Sequence, residues 1–149
     1  MLDNVDKKLL RVLQENAKIS IKELSNLINM SQPATSERVR KLERNGYIDS
    51  YTIKLNPKKF NKNFVCFCFI ILKSNDGASD EKFRDYMSNC PDILECYCIT
   101  GPYEYIIKIA TESPLTLEDV LVGIRSKFPI KSYTYSVLST VKGGARFPV

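Results

Sequence analysis

A chain of 149 residues with 44% hydrophobic and 26% charged residues has the composition of one globular domain or two small ones. It contains no histidine, which excludes Ser-His-Asp and Cys-His catalysis and any His-ligated metal site. The net charge of +5 lies wholly in residues 1–60, where twelve Lys and Arg face seven Asp and Glu, so a polyanionic partner is expected for that part alone.

In chain order, Asp3 to about Glu15 reads as a first helix, with Val5, Leu9, Leu10 and Leu13 on its apolar face and acids in its first turn. Ser20 and Glu23 form a capping-box pattern ahead of Leu24, Leu27 and Ile28, which predicts a short second helix. Asn29 and Met30 break it. Ser31 caps a third helix with Pro33 in its first turn, and Thr35, Val39 and Leu42 give that helix a narrow inner stripe. Its outer face carries Pro33, Ser36, Glu37, Arg40 and Arg44, with Lys41 at the edge. A capped helix pair across a tight turn with a basic outer face reads either as a helix-turn-helix or as an ordinary surface hairpin. Gly46 is expected to end the third helix in a left-handed cap, and Tyr47 to Leu55 to run as an extended wing strand.

Residues 56–63, with one Pro, three Asn and three Lys, read as a linker between a domain of residues 1–55 and one of residues 64–149. Beyond it the pattern predicts a strand Phe64–Leu72, a helix Ser79–Ser88 and strands Ile93–Thr100 and Tyr103–Thr111 about a tight Gly101-Pro102 turn. A helix Thr116–Phe128 and a strand Ile130–Val141 complete it. The order βαββαβ is the ferredoxin-like unit, so the expected class is α+β, a winged helix-turn-helix joined to a ferredoxin-like domain. Strand 64–72 is apolar on both faces. One face can meet the helices, and the simplest cover for the other is a second copy of the sheet, the alternative being a loop or the N-terminal domain.

These segments resemble the Lrp/AsnC (leucine-responsive and asparagine-regulator) family of transcription regulators over nearly the whole chain. The resemblance is carried by LDNVDKKLLRVLQENAKIS, ISIKELSNLINMS, SERVRKLERNGYIDSYTIKLNP, ITGPYEYIIKI and VLSTVK. It implies N-terminal DNA binding, a C-terminal domain that senses a small molecule, commonly an amino acid, and homodimers that assemble further, often to octamers. It also implies an effector site near the turn Gly101-Pro102-Tyr103-Glu104. The family often has Asp where this chain has Glu104.

Residue chemistry then assigns roles. Arg38, Arg40, Lys41 and Arg44 are candidate phosphate contacts, although Arg38 lies near the inner face and an acid could take it. Gln32, Pro33 and Ser36 are candidate base contacts, and Ser31 a cap that a phosphate could share. On the effector side, Gly101 and Tyr103 belong to the turn, Glu104 could take an ammonium group, and the alternating Ser132, Thr134 and Ser136 could bond a carboxylate. Cys66 with Cys68 and Cys96 with Cys98 share strand faces. Strands one and two are separated in such a sheet, so the pairs are read as buried hydrophobes and no metal or cofactor is expected. The polar N-terminus, the lack of a membrane-length apolar run and the odd cysteine count point to the cytoplasm. With no paired-acid or phosphate-loop motif the chain reads as no enzyme. The alternative to an effector-modulated regulator is an architectural DNA-binding protein.

Overall fold

The computed structural model describes residues 1–73, 77–144 and 146–149. The chain divides into two units, Met1–Lys54 with Gly143–Val149, and Leu55–Lys142. The last seven residues, read from sequence as part of the second domain, therefore group with the first.

In the first unit, α1 spans Asn4–Glu15, α2 Ile21–Ile28 and α3 Gln32–Arg44. Each begins where a side chain can replace a missing intrahelical acceptor. Asp3 and Asp6 close a capping box on α1, Ser20 and Glu23 close another on α2, and Ser31 caps α3. Asn29, left-handed at φ 57°, makes the tight turn between α2 and α3. Gly46 at φ 71° ends α3 as expected. Its N–H reaches the Glu43 carbonyl and the Tyr47 N–H reaches Leu42, each at 2.9 Å, which is a Schellman closure. Leu9, Leu10, Leu24, Ile28, Val39 and Leu42 form the core between the helices. The predicted wing strand is absent: Tyr47–Leu55 carries no strand, and Tyr51, Ile53 and Leu55 are exposed. A β-ladder needs a partner strand, and the segment has none among the described residues.

Asp3 gives this unit a pH dependence. The Asp6 N–H, and then the Arg38 guanidinium, hold its carboxyl below its ordinary value of 3.8. A depressed carboxyl contributes stability fully above its unfolded value and loses it as pH falls through the folded one. Helical ellipticity of wild type should thus be flat down to about pH 5 and fall below pH 4. Asp3→Asn keeps a capping oxygen but removes the charge, so its acid loss should be smaller. Identical acid profiles for the two would remove Arg38 from the account.

In the second unit, residues Pro57–Phe60 of the expected linker form a 3-10 turn. There follow β1 Phe64–Leu72, α4 Gly77–Asn89, β2 Ile93–Cys98, β3 Tyr105–Thr111, α5 Pro114–Lys127 and β4 Ile130–Ser136. The sheet is antiparallel in the order β2-β3-β1-β4, the ferredoxin-like arrangement. Cys66, Cys68, Ile70 and Leu72 of β1 pack with Phe83 and Met87 of α4 and with Leu117, Leu121 and Ile124 of α5. α5 starts two residues before its predicted place, because Ser113 caps it and Pro114 sits where no N–H is needed.

Three strands, β2, β3 and β4, are shorter than predicted. β4 stops at Ser136 since β1, its neighbour, runs out: Val137 N–H to the Val65 carbonyl at 2.9 Å is the last bond, and Leu138 and Val141 are exposed. The β2–β3 connection is a six-residue loop rather than a two-residue turn, closed by the Ile99 N–H on the Glu104 carbonyl at 2.9 Å. The alternate β1 residues Val65, Phe67, Phe69 and Ile71 point away from the helices and are half-buried. Their register partners on that face include Ile106, Lys108, Tyr133 and Tyr135. No helix among the described residues covers it. Phe69 stacks on Tyr103 and Tyr135 at ring-centre distances of 5.0 and 5.8 Å.

Candidate nucleic-acid interface and effector loop

The turn at Asn29 presents α3 with Thr35, Val39 and Leu42 buried, so the opposite side, with Gln32, Pro33, Glu37, Arg40, Lys41 and Arg44, is left to solvent. Ser31, Gln32 and Pro33 at its N-terminus are exposed, and Ser36 is half-buried beside them. The Ser31 hydroxyl accepts the Ala34 N–H at 3.4 Å, and since Pro33 carries no N–H, that of Gln32 is the one left open in the first turn. The Arg40 and Lys41 side chains are exposed and make no hydrogen bond or ion pair among the described residues. Arg44 pairs with Glu37 at 2.7 Å, both well solvated, so this bond is exchangeable for a phosphate. The Arg44 guanidinium beside Glu37 holds that carboxyl below its usual range.

Arg38 is placed differently from the other three. It bridges to Asp3 at 2.6 Å and Asp6 at 2.7 Å, locking α3 to the start of α1. The Asp3 and Asp6 side chains, and then desolvation in the opposite sense, leave its guanidinium raised. Its position beside the inner stripe brings it to α1 rather than to the open face, which was the alternative visible in the sequence. Two further braces were not read from sequence. Lys8 donates through Nζ to the Leu27 carbonyl at the end of α2. The Tyr51 hydroxyl donates to Glu43 at 2.8 Å, and partial loss of water around that hydroxyl, together with the carboxylate, pushes Tyr51 up to about 12. Both join residues far apart on the helical pattern, and periodicity carries no signal for such pairs.

In the second unit the effector candidates divide. Gly101, at φ 120°, and Pro102 are exposed at the tip of the Ile99–Glu104 loop. Tyr103 folds onto the open sheet face, its ring 5.5 Å from that of Tyr133. Ser132, Thr134 and Ser136 lie in register with Ile70, Cys68 and Cys66, so they face the helices. Thr134 donates to the Cys68 thiol at 3.3 Å and Ser136 lies 3.8 Å from Cys66. Burial pushes the Cys68 thiol up, against the hydroxyls of Thr134 and Ser132. The hydroxyl row and Tyr103 are therefore on opposite faces of the sheet and do not form one pocket. The strand alternation read from sequence was right in period, but it could not say which face was which.

Glu104 is engaged by the backbone. Its N–H donates to the Ile70 carbonyl at 3.0 Å, and its Oε2 accepts the Leu72 N–H. The carboxylate thus extends the β1–β3 ladder one bond beyond the start of β3 at Tyr105. Its Oε1 has no protein partner among the described residues. Also among the described residues, no group of three or more Cys, Asp or Glu is arranged to hold a metal ion. No helix there is long and apolar enough to cross a membrane.

Comparison with known proteins follows this division. Residues 2–49 match a family described as winged helix-turn-helix DNA-binding, and residues 65–147 match the Lrp/AsnC ligand binding domain. The chain is 36% identical over 120 residues to the HTH-type transcriptional regulator YezC of Bacillus subtilis, covering 80% of this chain and 83% of that one. It is 32% identical over 152 residues to the leucine-responsive regulatory protein of Klebsiella pneumoniae, covering 99% and 92%. A Neisseria meningitidis transcriptional regulator solved as a complex with L-Met superposes with a TM-score of 0.94 at 23% identity, over 99% of this chain and 97% of the other.

Proposed function

The chain belongs to the Lrp/AsnC family of DNA-binding transcription regulators, and from that premise we propose that it reads specific DNA with α3 while a small molecule, most simply an amino acid, alters its assembly or its hold on DNA. The single observation that carries the DNA assignment is the solvent-facing pair Arg40 and Lys41, unpaired, on the helix whose N-terminus exposes Gln32 and Pro33. Arg40, Lys41 and Arg44 contact phosphates; Gln32, Pro33 and Ser36 meet base edges; Ser31 caps the helix and shares its N-terminus with a phosphate. Residues 1–55 carry this role, 56–63 link, and the βαββαβ unit pairs with a second copy through its open face. Dimers of this kind can associate further, to octamers. Its place of action is the cytoplasm, with the DNA.

The effector assignment draws on the neighbour solved with L-Met and on the Gly101 loop. An amino acid offers an ammonium group and a carboxylate. The Oε1 of Glu104 suits the first, and the amides about Gly101 suit the second. A second reading, an architectural protein without effector, is favoured by the engagement of Glu104 with Leu72 and by the hydroxyl row facing the helices. A melting screen with each of the twenty amino acids separates them. A ligand present at 100 times its Kd stabilises the native state by about 2.7 kcal/mol, a shift of several degrees. Glu104→Gln keeps an oxygen for the Leu72 N–H and removes the charge, so it should cost about 1.5–3 kcal/mol of affinity by calorimetry. Unshifted melting with all twenty favours the architectural reading.

A further inference from the structure

Gly143–Val149 meets the first unit as a peptide meets a receptor. Gln14 on α1 holds Phe147 at two points: Nε2 donates to the Phe147 carbonyl at 3.2 Å, and Oε1 accepts the Phe147 N–H at 2.6 Å. A side-chain amide used in this way offers the donor and acceptor that a neighbouring β-strand would. Arg11, three residues earlier on α1, donates twice to the Val149 carbonyl, at 2.9 and 2.6 Å. Arg146 pairs with Glu15 at 2.9 Å. Arg11, Gln14 and Glu15 stand at i, i+3 and i+4, so one face of α1 carries all three grips. Val149 packs against the helix core, and with Phe147 it lines a cleft of about 360 Å³ bounded by Leu10, Leu13, Tyr47 and Tyr51.

We infer that α1 and the Tyr47–Thr52 segment form a docking groove for an extended peptide, that its occupant is this chain's own Gly143–Val149, and that docking is reversible and sets how firmly α3 is held. Reversibility follows from burial. Val149 is only half-buried, Arg146 and Phe147 are exposed (Phe147 by 77%), and residues 138–142 leading to them are exposed as well. Such a segment opens at a small fraction of the cost of global unfolding. The route to α3 is short. The helix gripped by the segment is the one whose Asp3 and Asp6 hold Arg38.

The test uses the chain truncated after Lys142, with a synthetic peptide of residues 143–149 added in trans. Hydrogen–deuterium exchange of residues 4–15 should accelerate roughly tenfold on truncation, the equivalent of one or two lost hydrogen bonds. DNA affinity should fall several-fold, and millimolar peptide should restore both. Gln14→Ala in the full chain should reproduce the loss. Gln14→Glu, which still accepts the Phe147 N–H but cannot donate to its carbonyl, should fall between. Unchanged α1 exchange in both the truncated chain and Gln14→Ala overturns the inference, as does a loss that the peptide leaves unrestored.

Discussion

Replacing Arg40 and Lys41 together by Ala should flatten the salt dependence of DNA binding, lowering its slope by up to about 2. Counterion release sets the size of the effect. Each phosphate neutralised frees about 0.9 of a condensed cation, so two lost contacts remove about 1.8 from the slope of log K against log salt. Between about 50 and 200 mM salt, wild type should therefore lose about tenfold more affinity than the variant. The loss at low salt should be similar on all sequences, because phosphates carry no base identity. Both side chains are exposed and unpaired among the described residues, so thermal stability should move by no more than about 0.5 kcal/mol. Arg38→Ala should do the reverse, destabilising the helices while leaving the slope unchanged, since its charge is held by Asp3 and Asp6. Fluorescence anisotropy titrations at four salt concentrations measure this; a double variant with the wild-type slope would take α3 out of the interface.

The second large effect is expected from Phe69→Asp. Phe69 lies mid-strand on the open sheet face, between the rings of Tyr103 and Tyr135. If a second copy covers that face, the new carboxylate is buried without a partner, which costs several kcal/mol. At 1.4 kcal/mol per factor of ten, the dimer dissociation constant should rise at least about a hundredfold. DNA affinity should fall with it, because two linked recognition helices gain from effective concentration and separate ones do not. Leu115→Asp on α5, where the side chain is already 79% exposed, supplies the control. Sedimentation velocity at micromolar concentration decides: a Phe69→Asp chain as dimeric as wild type means that the open face is not where copies meet.

What could be read from the sequence was whatever depends on neighbours a few residues away. The Ser20–Glu23 capping box, the Gly46 closure and the stripe Thr35, Val39 and Leu42 are all local, and all stand in the structure where periodicity and cap chemistry put them. The apolar run Phe64–Leu72 gave β1 to the residue, because nine apolar side chains bounded by Asn63 and Lys73 leave little choice of ends. Strand ends elsewhere depend on how far a distant partner extends. β4 therefore stopped five residues short of Val141, and the β2–β3 turn became a loop. The wing strand failed for the same reason, lacking any partner among the described residues. The effector residues were hardest, since their roles turn on which sheet face each side chain takes and on what the backbone demands. Nothing local to Glu104 signals that the Leu72 amide needs an acceptor, and nothing local to Gln14 signals that Phe147 will lie against it.

The cysteines of β1 give the molecule a built-in clock. Cys66 and Cys68 are fully buried against α4 and α5, Cys90 and Cys96 are intermediate, and Cys98 lies in the open. A thiol reagent added to the native protein therefore meets Cys98 at once, whereas Cys66 and Cys68 are reached only when the sheet parts from its helices. Their labelling rate, divided by that of a free thiol, is the fraction of time the central strand stands open. The strand that holds the second unit together thus reports its own fluctuations, residue by residue, with no probe introduced by mutation.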